Sequence, residues 1–189
     1  MTMADLFYVI GASGSGKDSL LSYARERVGA EVNLAFAHRY ITRPADAGNE
    51  NHVALSNLEF ASRLSRGLMA MHWQSHGLYY GIGIEIDQWL ARGVSVVVNG
   101  SRGYLPEAAE RYSNLRPVLI NVPPAVLEER LVRRGRENPE EIAGRLARAA
   151  SFGQINHPRL VSLDNSGPLN ESGERLLELL HHYPCACNY

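Results

Sequence analysis

Gly11-Ala12-Ser13-Gly14-Ser15-Gly16-Lys17-Asp18 constrains this chain more than any other stretch. An apolar run, Leu6 to Ile10, precedes it, and a helical pattern carried by Leu20, Leu21, Tyr23, Ala24 and Val28 follows. Strand, glycine-rich loop, Gly-Lys and helix, in that order, is the layout of a phosphate-binding loop, or P-loop. Its glycines let backbone N–H groups turn inward around phosphate oxygens. The helix behind it adds the positive end of its dipole, and Lys17 adds a full charge. Gly11, Ala12, Ser13, Gly14, Ser15, Gly16, Lys17, Asp18 and Ser19 are the nucleotide-binding residues this pattern predicts. The residue after the lysine is ordinarily Ser or Thr, whose hydroxyl holds Mg²⁺. Here it is Asp18.

The remainder of the chain suits such a start. Apolar segments at 6–10, 34–41, 94–99, 116–122 and 159–164 read as strands. Helical patterns at 17–28, 57–66, 84–92, 104–113, 124–134, 139–151 and 171–183 separate them. Strands alternating with helices predict an α/β fold, a parallel central sheet in a three-layer arrangement. With 189 residues, 45% of them hydrophobic, the chain has the size and the core for one domain. Residues 43–83 break the rhythm with polar, glycine-rich turns and short strand-like pieces, and read as a small substrate-binding insert. The core is then 1–42 and 84–189. A second break at Arg134 to Pro139 has Asn138 and Glu141 placed as a helix cap. It divides two arginine-bearing helices, and residues of about 130–148 read as a lid.

Composition excludes several classes. No apolar run approaches the ~18 residues of a membrane span. The N-terminus runs directly into the first strand without a signal-peptide pattern, and a reduced, cytoplasmic setting is expected. A formal net charge of −1 gives no nucleic-acid surface. His52, His72 and His76 match no common zinc spacing, and the cysteine pair Cys185 and Cys187 has no His or Cys partner set around it.

Phosphoryl transfer needs positive charge on both sides of the moving group. One side is the P-loop. The lid region offers Arg130, Arg133, Arg134, Arg136, Arg145 and Arg148 for the other, although each could instead pair at the surface with Glu128, Glu129, Glu140 or Glu141. Arg39, Thr42 and Arg43, after the second strand, are candidates for an anionic acceptor, with His52 and Tyr80 further on. Asn99-Gly100-Ser101-Arg102 ends the central strand, where ligands of open α/β sheets sit. No carboxylate stands there to order Mg²⁺, so Asp18 is expected to supply the negative charge. The turn Asp164-Asn165-Ser166 is a candidate adenine contact.

In their order, these pieces resemble the guanylate kinase superfamily along nearly the whole chain. Thr42-Arg43-Pro44 resembles its phosphate-gripping Thr-Thr-Arg segment, Leu78-Tyr79-Tyr80-Gly81 its Asn-Tyr-Tyr-Gly, and Arg130, Arg134 and Arg145 its lid arginines. The glutamate that reads guanine in that superfamily belongs near Met69-Ala70-Met71, where no carboxylate stands, and Asn99 replaces an acidic residue. Residues 14–21, 37–43, 50–56, 77–81, 96–102 and 134–138 are similar instead to the ribose 1,5-bisphosphate phosphokinases of bacterial phosphonate utilisation. That resemblance implies ATP and Mg²⁺ as cofactors and a small sugar bisphosphate as acceptor, converted to 5-phosphoribosyl 1-diphosphate. It implies catalytic roles for Lys17, Arg134 and Arg145, nucleotide binding by Arg130, and substrate binding by Arg39, Arg43, His52, Tyr80 and Arg102. Mg²⁺ would fall to Asp18 or Ser19. The alternatives are a nucleoside monophosphate kinase and a non-catalytic interaction module of the same fold.

Overall fold

The computed structural model of the chain describes residues 4–47, 50–135, 138–151 and 153–182. Its elements follow as β1 (Leu6–Gly11), α1 (Lys17–Arg27), β2 (Leu34–Phe36), β3 (Arg39–Ile41), β4 (Val53–Ala54), α2 (Asn57–Ser65), β5 (Met69–Ser75) and β6 (Leu78–Gly83). Then come α3 (Glu85–Ala91), β7 (Ser95–Asn99), a 3-10 turn at Arg102–Tyr104, α4 (Leu105–Arg111), β8 (Leu115–Asn121), α5 (Pro124–Arg134), α6 (Pro139–Ser151), β9 (Val161–Asp164) and α7 (Leu169–His182).

β1 is the hub. Leu6 to Ile10 are all buried, so both faces of the strand must be covered, and alternation sorts the side chains between them. Leu6, Tyr8 and Ile10 share one apolar layer with Ile86 of α3 and Leu105 of α4. Phe7 and Val9 share the other with Leu20 and Ala24 of α1 and Leu176 and Leu180 of α7. The central sheet is parallel, in the order β2-β7-β1-β8-β9. With helices on both faces, this is the three-layer arrangement that the alternating pattern predicts. No helix among the described residues is long and apolar enough to cross a membrane.

The second predicted strand differs from expectation. Residues 34–41 are not one strand. Leu34–Phe36 pairs in the central sheet, and the Ala37 N–H still donates to the Val97 carbonyl at 2.9 Å. The chain then leaves, and Arg39–Ile41 pairs antiparallel with β6. β3 belongs to a second, four-stranded sheet in the order β4-β3-β6-β5, which starts at Arg39 rather than at residue 43. An apolar run reports that a strand is buried, not which sheet buries it. The other predicted elements of the central fold stand within two residues of the observed ones.

The helices of the lid region sit on the P-loop. Leu127 and Leu131 of α5 and Ile142 of α6 form a small core against Ala12. At Gly14, whose φ is +88°, a Cβ would lie 2.9 Å from Leu131 Cδ2, so both conformation and packing call for glycine there. α6 opens on a reciprocal cap, as Asn138 and Glu141 suggest: the Glu141 N–H donates to Asn138 Oδ1 and the Asn138 N–H to Glu141 Oε2, each at 2.9 Å.

Candidate active site

The P-loop is held from beneath. Gly16, at φ +82°, caps α1. The Ser15 carbonyl before it accepts from Asn165 Nδ2 at 2.7 Å and from Arg130 Nη1 at 3.3 Å. Arg130 Nη2 donates in turn to the Asn165 carbonyl at 2.7 Å. Asn165 is 3% exposed. That carbonyl is thus turned away from the mouth of the loop, and the Ser15 N–H closes the loop on the Ala12 carbonyl at 3.1 Å. Asn165, a candidate for adenine, and Arg130, a candidate for the nucleotide, both brace the loop here. The Ser15 hydroxyl is buried in the cradle with no hydrogen-bond partner among the described residues. A buried orphan of this kind fits a site shaped for phosphate oxygens.

Above the loop, one amide joins two groups of charges. Lys17 Nζ donates to Asn99 Oδ1 at 2.7 Å and lies 3.5 Å from Asp18 Oδ1. Asn99 Nδ2 donates to Asp18 Oδ1 at 2.9 Å and to Glu50 Oε1 at 3.2 Å. Glu50 accepts a bidentate pair from Arg39, Nε and Nη2, both at 2.5 Å, and a longer bond from Arg43 at 3.5 Å. Burial lowers the Lys17 pKa, Asp18 beside it opposes the shift, and Arg39 adds to it. Burial works against the Asp18 charge too, but Lys17, then Arg39 and the Asn99 amide, hold its carboxyl below the usual range. Glu50 is the residue that sequence reasoning missed. A single carboxylate in a polar turn carries no signal, and only folding shows that two arginines converge on it.

The predicted acceptor residues are brought together, in differing roles. Arg39 lies over the Tyr80 ring, 5.0 Å from its centre, and Trp73 stacks on Tyr80 at 5.8 Å. His52 is buried and faces the backbone: Nε2 is 3.2 Å from the Arg43 carbonyl, and Nδ1 is 3.3 Å from Arg43 Nη2 and 3.0 Å from the Glu50 carbonyl. It braces the turn that presents Arg43 and Glu50. Thr42 is likewise engaged, accepting from the Tyr79 N–H at 2.9 Å. Arg102 Nη1 donates to the Ala149 carbonyl of α6 at 3.5 Å, tying the loop after β7 to the lid region. The loop itself is held by Tyr8, whose hydroxyl donates to the Ser101 carbonyl and accepts from the Ser101 N–H.

α6 touches both halves of the site. Arg145 donates to the Ser13 hydroxyl of the P-loop, and Arg148 to His76 Nε2 at the tip of the β5–β6 hairpin. Ser19 is exposed on α1. Arg134 ends α5, and its side chain, like Arg136 and the tail with Cys185 and Cys187, lies outside the described residues. Among the described residues no group of three or more His, Cys, Asp or Glu could hold a metal by themselves. Asp18 and Glu50, bridged by Asn99, are the hard oxygen donors present, which suits a cation that takes most of its ligands from phosphate and water.

No protein-family model matches the chain. Over 178 residues it is 59% identical to the ribose 1,5-bisphosphate phosphokinase PhnN of Desulfomicrobium baculatum, covering 94% of this chain and 95% of that one. The chain belongs to the ribose 1,5-bisphosphate phosphokinase family. A second relative, from Thiobacillus denitrificans, is 56% identical over 182 residues, covering 95% and 94%. The fold of this family member is shared with guanylate kinase from Anaplasma phagocytophilum, at a TM-score of 0.71, 15% identity, and coverage of 98% of this chain and 89% of that one. A sugar kinase from Janibacter overlaps at a TM-score of 0.56 with 21% identity, covering 98% and 99%. In this family member Met69, Ala70 and Met71, where a guanine-reading carboxylate would be expected, are buried apolar residues.

Proposed function

We propose that this kinase transfers the γ-phosphoryl group of ATP to the 1-phosphate of ribose 1,5-bisphosphate, giving ADP and 5-phosphoribosyl 1-diphosphate. The observation that carries the reading is the Asn99 bridge. It sets the P-loop lysine beside two arginines that share Glu50, while Met69, Ala70 and Met71 offer no carboxylate. The attacking atom is a phosphate oxygen, already ionised near neutral pH, so no general base is required. The work is positioning and charge neutralisation. Backbone N–H groups of residues 12–17 and Lys17 hold the nucleotide's phosphates. Arg39, Arg43 and Tyr80 form the acceptor wall, with His52 behind it. Arg145 and Arg134 close over the transferring group and exclude water, which limits hydrolysis of ATP. Asp18, with Ser19 next to it, would hold Mg²⁺, which when bound neutralises charge on the phosphates.

A coupled ADP-release assay with MgATP tests the reaction. Rapid turnover is expected with ribose 1,5-bisphosphate and little with GMP, and ³¹P NMR should show a diphosphate product. Preference for GMP would overturn the acceptor while leaving the fold. Asp18→Asn should raise the Mg²⁺ concentration for half-maximal rate by about tenfold or more. A Mg²⁺ titration with an unshifted midpoint would remove Asp18 from the metal's surroundings.

A further inference from the structure

Beyond Asp18, one wall of the proposed acceptor cleft carries residues that these roles leave unused. Asp18, Ser22 and Arg25 are spaced i, i+4 and i+7 along α1, so they share a face. That face lines the same cleft as Arg39, Glu50 and Asn99. Arg25 lies eight residues beyond Lys17, about 12 Å along the helix axis. Its guanidinium sits over the Phe36 ring, 5.5 Å from the ring centre. Its Nε is buried and has no hydrogen-bond partner, and no carboxylate lies within ion-pairing distance, among the described residues. Burial depresses its pKa, and Glu50 across the cleft attracts it only from a distance.

Arg25 is only half-buried, but its Nε is cut off from water, and a buried N–H donor without a partner is unfavourable unless something else completes it. Arg39 and Arg43 already share Glu50, whereas Arg25 has the Phe36 ring but no carboxylate within ion-pairing distance among the described residues. The acceptor has a matching surplus. One of its phosphates reacts beside Lys17 and Asn99. The other lies across a pentose ring, carries two negative charges and takes no part in bond formation. A planar fork of N–H donors at the far end of the cleft is suited to it.

We propose that Arg25 binds the non-reacting phosphate of the acceptor, so that α1 serves both substrates: its first turn the nucleotide, its third the distal end of the sugar bisphosphate. The proposal rests on the acceptor reading above. Arg25 thereby selects a bisphosphate over a monophosphate of the same sugar, and holding both ends of the acceptor fixes the reacting oxygen in line.

The test is calorimetric titration of ribose 1,5-bisphosphate and of ribose 1-phosphate into wild type, Arg25→Gln and Arg25→Lys, with turnover of wild type measured in parallel. Wild type should prefer the bisphosphate. Arg25→Gln should cut that preference by about tenfold or more, through weaker binding of the bisphosphate alone, and Arg25→Lys should recover part of it. An unchanged preference overturns the proposal, whether both affinities hold or both fall together, as they would if Arg25 only packed on Phe36. A wild type that binds the bisphosphate with an Arg25-dependent preference but does not phosphorylate it would overturn the reaction and leave the subsite standing.

Discussion

Lys17→Ala is expected to lower kcat/KM by about a hundredfold or more, a loss of about 2.7 kcal/mol of transition-state stabilisation. Lys17 is the cation of the P-loop, and its ammonium is already placed by Asn99 and Asp18, so little reorganisation precedes reaction. Charge on the transferring group is where a preorganised donor in a dry site contributes most. The loop should survive the change. Its shape depends on Gly14, Gly16 and the bonds that Asn165 and Arg130 make to the Ser15 carbonyl, none of which involves the lysine side chain. Steady-state kinetics beside a thermal melt would check this, and a near-wild-type rate would refute the role of Lys17.

Arg43→Ala is expected to cost about as much, roughly a hundredfold in kcat/KM, but on the acceptor side. Arg43 sits at a turn fixed by His52, and its Nη2 reaches Glu50 over only 3.5 Å, so it can be turned to an arriving phosphate. Glu50 keeps its two bonds from Arg39 when Arg43 is gone, so no carboxylate is stranded. The loss should therefore show as a higher KM for the acceptor with the KM for ATP little changed. Wild-type kinetics in this variant would exclude Arg43 from the acceptor site.

The nucleotide half of the site was legible because a P-loop is local. Strand, glycines, lysine and helix lie within a few residues of one another, and their backbone conformations follow from sequence. The part we propose for the acceptor showed its residue types in the sequence but not their pairings. Glu50 lies 11 residues from Arg39 and 49 from Asn99, and no periodicity connects them. Asn165 and Arg130 were visible as polar groups in suggestive places, yet each serves a backbone carbonyl far away in the chain, an interaction that leaves no spacing to read. Arg25 was hidden differently. It stands on a helix face that would look solvated, and only folding brings Phe36 of β2, Arg39 and Glu50 to the same cleft.

Asn99 has one more consequence. It is followed by glycine, the pair most prone to deamidation, in which the next backbone nitrogen attacks the side-chain carbonyl and the amide is lost. Here that nitrogen is occupied: the Gly100 N–H donates to the Val9 carbonyl at 2.8 Å. The amide is held by Lys17, Asp18 and Glu50 and is 6% exposed. Gly100 itself is enforced by the Tyr8 ring, which a Cβ would approach to 2.4 Å. The fold thus keeps a chemically fragile dipeptide at its centre and shields it by the same bonds that organise the charges. Ageing at that point would install a third carboxylate beside Asp18 and Glu50, so the long-term integrity of the site depends on the strand end staying closed.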